Sequence, residues 1–313
     1  MVGIVSYGAY IPLYRLPRAE IAKAWGVAAQ GAGERSVANF DEDSLTMAVE
    51  ASQDCLQGVD RGKVDGFFLA TTTSPYVEKM VSTTGAIALD LGRNIRTSDF
   101  TNSLRAGTGA LLSAADAIKA GSLKSVLLAA SDFRQAQTQG GLEQSLGDGA
   151  AALVLGDSEV AVTIDGSYSV SDEFMDVWRA YGDNFVRTWE ERFTIDEGYN
   201  RILPEAVSGL LKRHNLSPQD ITKAVFYAAN ERRHKAMGKM LGFKPDQIQD
   251  SLFSTVGDAV AALPVMMLVA ALETARPGAK ILLAGYGNGC DAVLLTATDL
   301  IDKIRNKKGI KGH

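Results

Sequence analysis

Apolar residues in this chain gather into short continuous runs, and the runs come in pairs. Ser125-Val126-Leu127-Leu128-Ala129-Ala130-Ser131 has a counterpart in Lys280-Ile281-Leu282-Leu283-Ala284-Gly285-Tyr286. Runs of this length, bounded by turn residues, predict strands covered on both faces. Ahead of each lies an Ala-rich segment of helical length, Gly109 to Ala120 and Val260 to Thr274, closed by the turns Gly121-Ser122 and Pro277-Gly278. Earlier still, Val64-Asp65-Gly66-Phe67-Phe68-Leu69-Ala70-Thr71 pairs with Thr222-Lys223-Ala224-Val225-Phe226-Tyr227-Ala228-Ala229. Downstream, Gly147-Asp148-Gly149-Ala150-Ala151-Ala152-Leu153-Val154-Leu155 returns as Gly287-Asn288-Gly289-Cys290-Asp291-Ala292-Val293-Leu294-Leu295. The repeat predicts strand, central helix, strand and hairpin twice over. That makes two α/β halves, residues 1–165 and 166–313, packed as one layered unit with the central helices buried between two sheets.

Most residues of the two Ala-rich helices read as core. Their first turns differ, because a helix start exposes unpaired N–H groups and a positive dipole end that favour an oxyanion or thiolate. Pseudo-twofold packing brings the two starts, near Leu104 and Asp258, toward each other. The expected site lies at that meeting point.

Composition narrows the partners. The chain has 313 residues, 46% hydrophobic and 22% charged, with a formal net charge of −5. No basic footprint for nucleic acid is present. No run approaches the roughly 18 apolar residues of a membrane helix, and the first residues lack a cationic stretch ahead of an apolar core. These features predict a cytoplasmic protein that engages neither nucleic acid nor membrane. Cys55 and Cys290 are too few for a disulfide framework. With His214, His234 and His313 spaced unlike ligands, no metal site is expected.

The most telling stretch is Asp99-Phe100-Thr101-Asn102-Ser103-Leu104-Arg105-Ala106-Gly107-Thr108-Gly109-Ala110-Leu111. Together with Val2 to Pro12, Asp41 to Ala51 and Lys239-Met240-Leu241-Gly242-Phe243, it resembles the thiolase superfamily. Within that superfamily it is similar to archaeal-type hydroxymethylglutaryl-CoA synthases and their ketoacyl synthase III relatives. The resemblance implies a thiolase fold, two pseudo-duplicated α/β halves in an α-β-α-β-α arrangement. It also implies acyl-CoA or coenzyme A as ligand, with no covalently bound cofactor. Enzymes of this type use a cysteine to take the acyl group, a histidine at the thioester, and a glutamate or asparagine.

Each of those roles falls here on another residue. Anchored on Thr108, the cysteine position is Leu104. Anchored on Val225-Phe226, the histidine position is Tyr227. The glutamate position, anchored on Pro75-Tyr76, is Thr72, and the asparagine position is Asp258. Leucine has no lone pair with which to attack a thioester. A tyrosine, with a reference pKa of about 10, is a poor base unless strongly perturbed.

Neighbouring residues offer substitutes and plainer readings. Ser103 is either a nucleophile without an adjacent base or a residue satisfying backbone donors at a helix start. Cys290 follows the glycine hairpin Gly287-Asn288-Gly289 and reads as a buried filler or a displaced nucleophile. The hairpin glycines serve a tight turn or present N–H donors to an acyl carbonyl. Arg232 matches a lysine near the CoA mouth of the synthases, within a charge run that also suits a solvated helix face. Lys303 to Lys311 reads as a helix end and mobile tail. The segment Asp172 to Arg179, with Trp189 and Phe193 beyond, suits a lid, a subunit contact or local packing.

Three functional readings stand together. The first is an acyl-CoA-handling component of an acyltransferase or C–C bond-forming complex. The second is a catalytically silent thiolase-fold scaffold paired with an active thiolase. The third is a condensing enzyme with a noncanonical nucleophile. The resemblance implies partners such as a thiolase and a small zinc-ribbon/OB-fold protein. Sheet edges that need covering predict a homo- or hetero-oligomer.

Overall fold

The computed structural model describes residues 1–313. Nine strands form one hydrogen-bonded sheet: β1 (Gly3–Tyr10), β2 (Gly66–Ala70), β3 (Arg96–Phe100), β4 (Ser125–Asp132), β5 (Gly149–Gly156), β6 (Val162–Ser171), β7 (Lys223–Phe226), β8 (Lys280–Tyr286) and β9 (Gly289–Ala297). Their spatial order is β7-β8-β9-β6-β1-β5-β4-β2-β3.

The order reads as the same motif twice. In the first half β2 pairs in parallel with β3 and β4, β4 turns into antiparallel β5, and β5 pairs with β1. In the second, β7 is parallel to β8, which turns into antiparallel β9, and β9 pairs with β6. The counterpart of β3 has shrunk to a single parallel bridge between Ala224 and Ile248. The halves meet edge to edge where Gly3 and Ile4 of β1 pair with Thr163 and Val162 of β6. A seam at residue 165 falls inside β6.

Six helices pack on this frame: α1 (Ser44–Cys55), α2 (Val81–Ala88), α3 (Ala106–Lys119), α4 (Asn200–Arg213), α5 (Glu231–Met240) and α6 (Leu263–Leu272). Every residue of α6 is buried, so the helix is apolar all round, as a central layer requires. It packs against β5 of one half and β7 and β8 of the other, while α3 lies on β4 and β2. On the outer faces, α1 covers β1 and β5, and α4 covers β9 and β6. The five layers α-β-α-β-α follow. No helix is long and apolar enough to cross a membrane.

The central helices sit three residues away from their sequence-predicted starts. α3 opens at Ala106 rather than Gly109. α6 opens at Leu263, not Val260, because Val260 has a positive φ of 54° and Pro264 is confined to the first turn.

The C-terminal segment departs from the expected mobile tail. Lys308 and Gly309 donate their N–H groups to the Asp54 carboxylate at 2.9 and 2.8 Å, and Ile310 donates to Glu273 Oε1 at 2.6 Å. A buried carboxylate on α1 and a half-buried one just beyond α6 thus receive their donors from the last residues of the chain.

Asp148, in the first-half hairpin, is nearly inaccessible; one oxygen accepts the Ala38 N–H at 2.9 Å and the other has no partner. Burial pushes its carboxyl up to about 6 from an ordinary 3.8. An acid raised in the folded state is stabilising while protonated, so stability falls as pH rises from 3.8 to about 6. At about 1.4 kcal/mol per pH unit, that slope amounts to about 3 kcal/mol. Urea denaturation from pH 4 to 7 is expected to show it, and Asp148→Asn to remove it. Equal slopes for the two proteins would contradict the assignment.

Candidate functional site

The two central helix starts meet where the repeat puts them. A Cβ on Gly107, in the first turn of α3, would lie 2.6 Å from the Ala261 carbonyl just ahead of α6. Leu104, Leu146 and Val260 close an apolar cluster beside this contact. Asp258 is held there by strand-like pairing with the first half: its N–H donates to Ser145 O at 2.7 Å, and Gly147 N–H donates to Asp258 O at 3.0 Å.

Four of the expected positions are brought together by one chain of contacts. Tyr227, just past the end of β7, donates its hydroxyl to Asp258 Oδ2 at 2.8 Å. Asp258 Oδ1 accepts the Val260 N–H at 2.9 Å, and Val260 packs with Leu104. Thr72, following β2, donates both its N–H and its hydroxyl to Asp132 Oδ1, at 2.7 and 2.9 Å. The other oxygen of Asp132 accepts the Ala261 N–H at 2.8 Å. Loop, strand end and helix start are therefore locked to one buried carboxylate.

The electrostatics suit proton-bearing groups and not a nucleophile. Burial, then the Asp258 charge, holds the Tyr227 hydroxyl well above the ordinary phenol range. Burial raises the Asp258 carboxyl, with the Tyr227 hydrogen bond and the Val260 amide pulling it back. Leu104 is only 8% exposed and offers no lone pair. Ser103 bonds only to backbone, accepting from Arg105 N–H at 3.3 Å and donating to Gly287 O at 3.4 Å, with no base beside it. His234 lies elsewhere: it is stacked on Phe226 at 4.5 Å, and burial lowers its pKa to about 4.

The hairpin residues serve packing. Gly287 has a φ of 154°, and a Cβ there would meet Leu104 Cβ at 2.8 Å and Arg105 N at 2.9 Å. Its N–H is spent on Gly289 O at 2.9 Å, so it is not free to stabilise an oxyanion in this conformation. Gly289 lies against Val170 O, where a Cβ would come within 2.0 Å. Cys290 is fully inaccessible, and burial, reinforced by Asp291, keeps its thiol protonated. Arg232 stands apart, exposed in a cleft of about 310 Å³ that Glu191, Ile195, Asn200, Asn230 and Arg233 also line.

Sequence reasoning missed the charges that organise the site. Asp132 ends β4 and Arg134 lies two residues beyond it, and Arg134 Nη2 donates to Thr72 Oγ1 at 3.1 Å. Arg105 pairs with buried Asp291 at 2.9 Å across the halves, and Asp291 also accepts from Ser169 and Thr108. Arg179 donates to Thr72 O at 2.9 Å, which places the Asp172–Arg179 segment over the Thr72 loop. The available signal was Ser131-Asp132-Phe133-Arg134, charges at the carboxyl end of a buried strand, where ligands of α/β sheets gather.

A duplicated α/β half with paired central helix starts defines the thiolase superfamily fold. The family model for the 3-oxoacyl-(acyl-carrier-protein) synthase III C terminal matches residues 211–296. The chain belongs to the hydroxymethylglutaryl-CoA synthase family: it is 32% identical to the Methanopyrus kandleri hydroxymethylglutaryl-CoA synthase, covering 98% of this chain and 90% of that protein. It is 33% identical to the Methanosarcina mazei enzyme, covering 98% and 91%. Among solved structures it superposes with TM-score 0.90 on MvaS in complex with 3-hydroxy-3-methylglutaryl coenzyme A, at 20% identity, covering 99% of this chain and 87% of that one. The 3-oxoacyl synthase III of Thermus thermophilus superposes with TM-score 0.85, at 20% identity, covering 94% and 98%.

Proposed function

We propose that this chain binds acyl-CoA as a component of an acyltransferase or C–C bond-forming complex and does not itself carry the acyl group. The observation that carries this reading is buried Leu104 at the nucleophile position, beside a buried Tyr227–Asp258 pair. CoA as ligand is supported by the MvaS structure with 3-hydroxy-3-methylglutaryl coenzyme A and by a synthase structure complexed with CoA. Arg232 suits its phosphates: it lies exposed in the cleft, whereas Arg233 is tied to Glu191 at 2.6 Å. Association with other chains, a thiolase and a zinc-ribbon/OB-fold protein among them, is supported by the outer edge of β3, which no strand of this chain pairs.

The scaffold reading draws on the substitution at all four family positions. The noncanonical enzyme draws on the Tyr227–Asp258 hydrogen bond, a pair able to hold and pass a proton. Titration calorimetry with CoA tests the binding claim. Wild type is expected to bind, and Arg232→Glu to weaken binding about tenfold or more, the loss of a charge-assisted contact. No CoA binding by the wild type would favour the scaffold. Turnover by the pure chain would favour the noncanonical enzyme.

A further inference from the structure

The last residues of the chain meet two carboxylates in strict order. Asp54 Oδ1 accepts the Lys308 N–H at 2.9 Å and Oδ2 the Gly309 N–H at 2.8 Å, and Glu273 Oε1 accepts the next two, Ile310 at 2.6 Å and Lys311 at 3.2 Å. Asp54 lies on α1 of the first half and is 6% exposed; half-buried Glu273 follows the end of α6 in the second half. Four consecutive main-chain donors therefore join an outer helix of one half to the central helix of the other.

Both flanks of this run are tied down as well. Upstream, Lys307 Nζ donates to the Cys55 and Gln57 carbonyls of the first half, and Arg305 to the Ala275 carbonyl of the second. Downstream, the His313 ring lies edge-on to Tyr10 at 5.5 Å, with Nε2 3.2 Å from Ala9 O on β1. Asp54 Oδ2 also accepts the Ala9 N–H at 3.1 Å, so one carboxylate holds the tail and β1 together. Gly309 sets the register: its φ is 57°, and a Cβ there would stand 2.1 Å from Glu273 Oε1. Within the sheet, by contrast, the halves are joined by two residue pairs, Gly3 with Thr163 and Ile4 with Val162.

We propose that residues 305–311 are a strap that holds the two halves closed, and that releasing it loosens the sheet seam while each half stays folded. The strap acts at the far end of α6 from the Tyr227–Asp258 pair, since Asp258 precedes the start of that helix and Glu273 follows its end. A buried carboxylate that loses its donors is costly, so the strap docks or releases as one unit. It makes no hydrogen bond to Leu104, Thr72, Tyr227 or Asp258, and the proposal is independent of the acyl-CoA reading.

Hydrogen exchange of the full chain, read by mass spectrometry on proteolytic fragments, tests this. In the wild type the Lys308–Lys311 amides are expected to exchange at least about 100-fold more slowly than an unstructured peptide, as a docked segment does. Gly309→Pro deletes one donor and cannot adopt the positive φ. Its tail is expected to exchange at the unstructured rate, and fragments covering Val2–Ile11 and Ala161–Asp165 about tenfold faster than in the wild type. Fragments covering β2, β4 and β8 are expected to keep their wild-type rates. Gly309→Ala is expected to lie between the two, and it carries the comparison if the proline variant does not fold. A wild-type tail without protection, or a seam unmoved by either substitution, would overturn the strap. An equal rise in every fragment would overturn it too, by showing lost stability of the whole fold in place of a loosened seam.

Discussion

Incubated with acetyl-CoA, the pure protein is expected to show an unchanged intact mass, and Leu104→Cys to show no turnover above background. The first outcome follows from the absence of a competent nucleophile. Leu104 has none, Ser103 has no base, and the Cys290 thiol is inaccessible and held protonated by burial. The second follows from the way catalytic groups act as a unit. In a serine protease, losing the serine or the histidine alone costs on the order of 10⁶ in rate, about as much as losing the whole triad. A cysteine at position 104 would have as its family partners Tyr227, whose hydroxyl is held protonated, and Thr72, which has no carboxylate. Intact-protein mass spectrometry decides the matter. A stable acyl adduct mapped to Ser103 or Cys290 would overturn the reading and establish a noncanonical nucleophile.

Gly147→Ala is expected to destabilise the fold by about 3 kcal/mol or more, at the upper end of overpacking costs. The added Cβ would lie 1.9 Å from Val256 O and 2.7 Å from Val256 C. Both are backbone atoms, so no side chain can rotate out of the way. The same contact carries the Gly147–Asp258 and Asp258–Ser145 hydrogen bonds, so the substitution also displaces Asp258 and with it the Tyr227 pair. Gly109→Ala is the control. Gly109 lies inside α3 with open space at its Cβ position, and alanine there is expected to stabilise by about 0.5–1 kcal/mol. Urea denaturation of both variants separates the effects. A Gly147→Ala protein as stable as wild type would show that the segment before β5 does not pack on residues 256–258.

Parts of the site were legible in the chain and parts were not. The positions Leu104, Tyr227, Asp258 and Thr72 were named from motif anchors, whereas the hydrogen bonds that join Tyr227 to Asp258 and Thr72 to Asp132 were not, since they link segments far apart in the chain. The expected hairpin donor at Gly287 was not recoverable in its actual state, since its N–H closes a turn on Gly289. Cys290 follows the hairpin in sequence, yet its side chain is buried away from solvent, because both faces of β9 are covered. Arg232, read from its charge run, lies in a separate cleft.

By itself the sequence determined the internal repeat, the buried strands and the central helices. Each of these rests on interactions between near neighbours or on a residue's own chemistry, which a linear pattern records. Only the tertiary structure decided where the buried charges go. Arg134 and Thr72 are 62 positions apart, Arg105 and Asp291 are 186, and the C-terminal amides reach Asp54 from more than 250 away. A buried charge is tolerated only where folding delivers its partner, and that pairing is a property of packing between distant segments rather than of any local run.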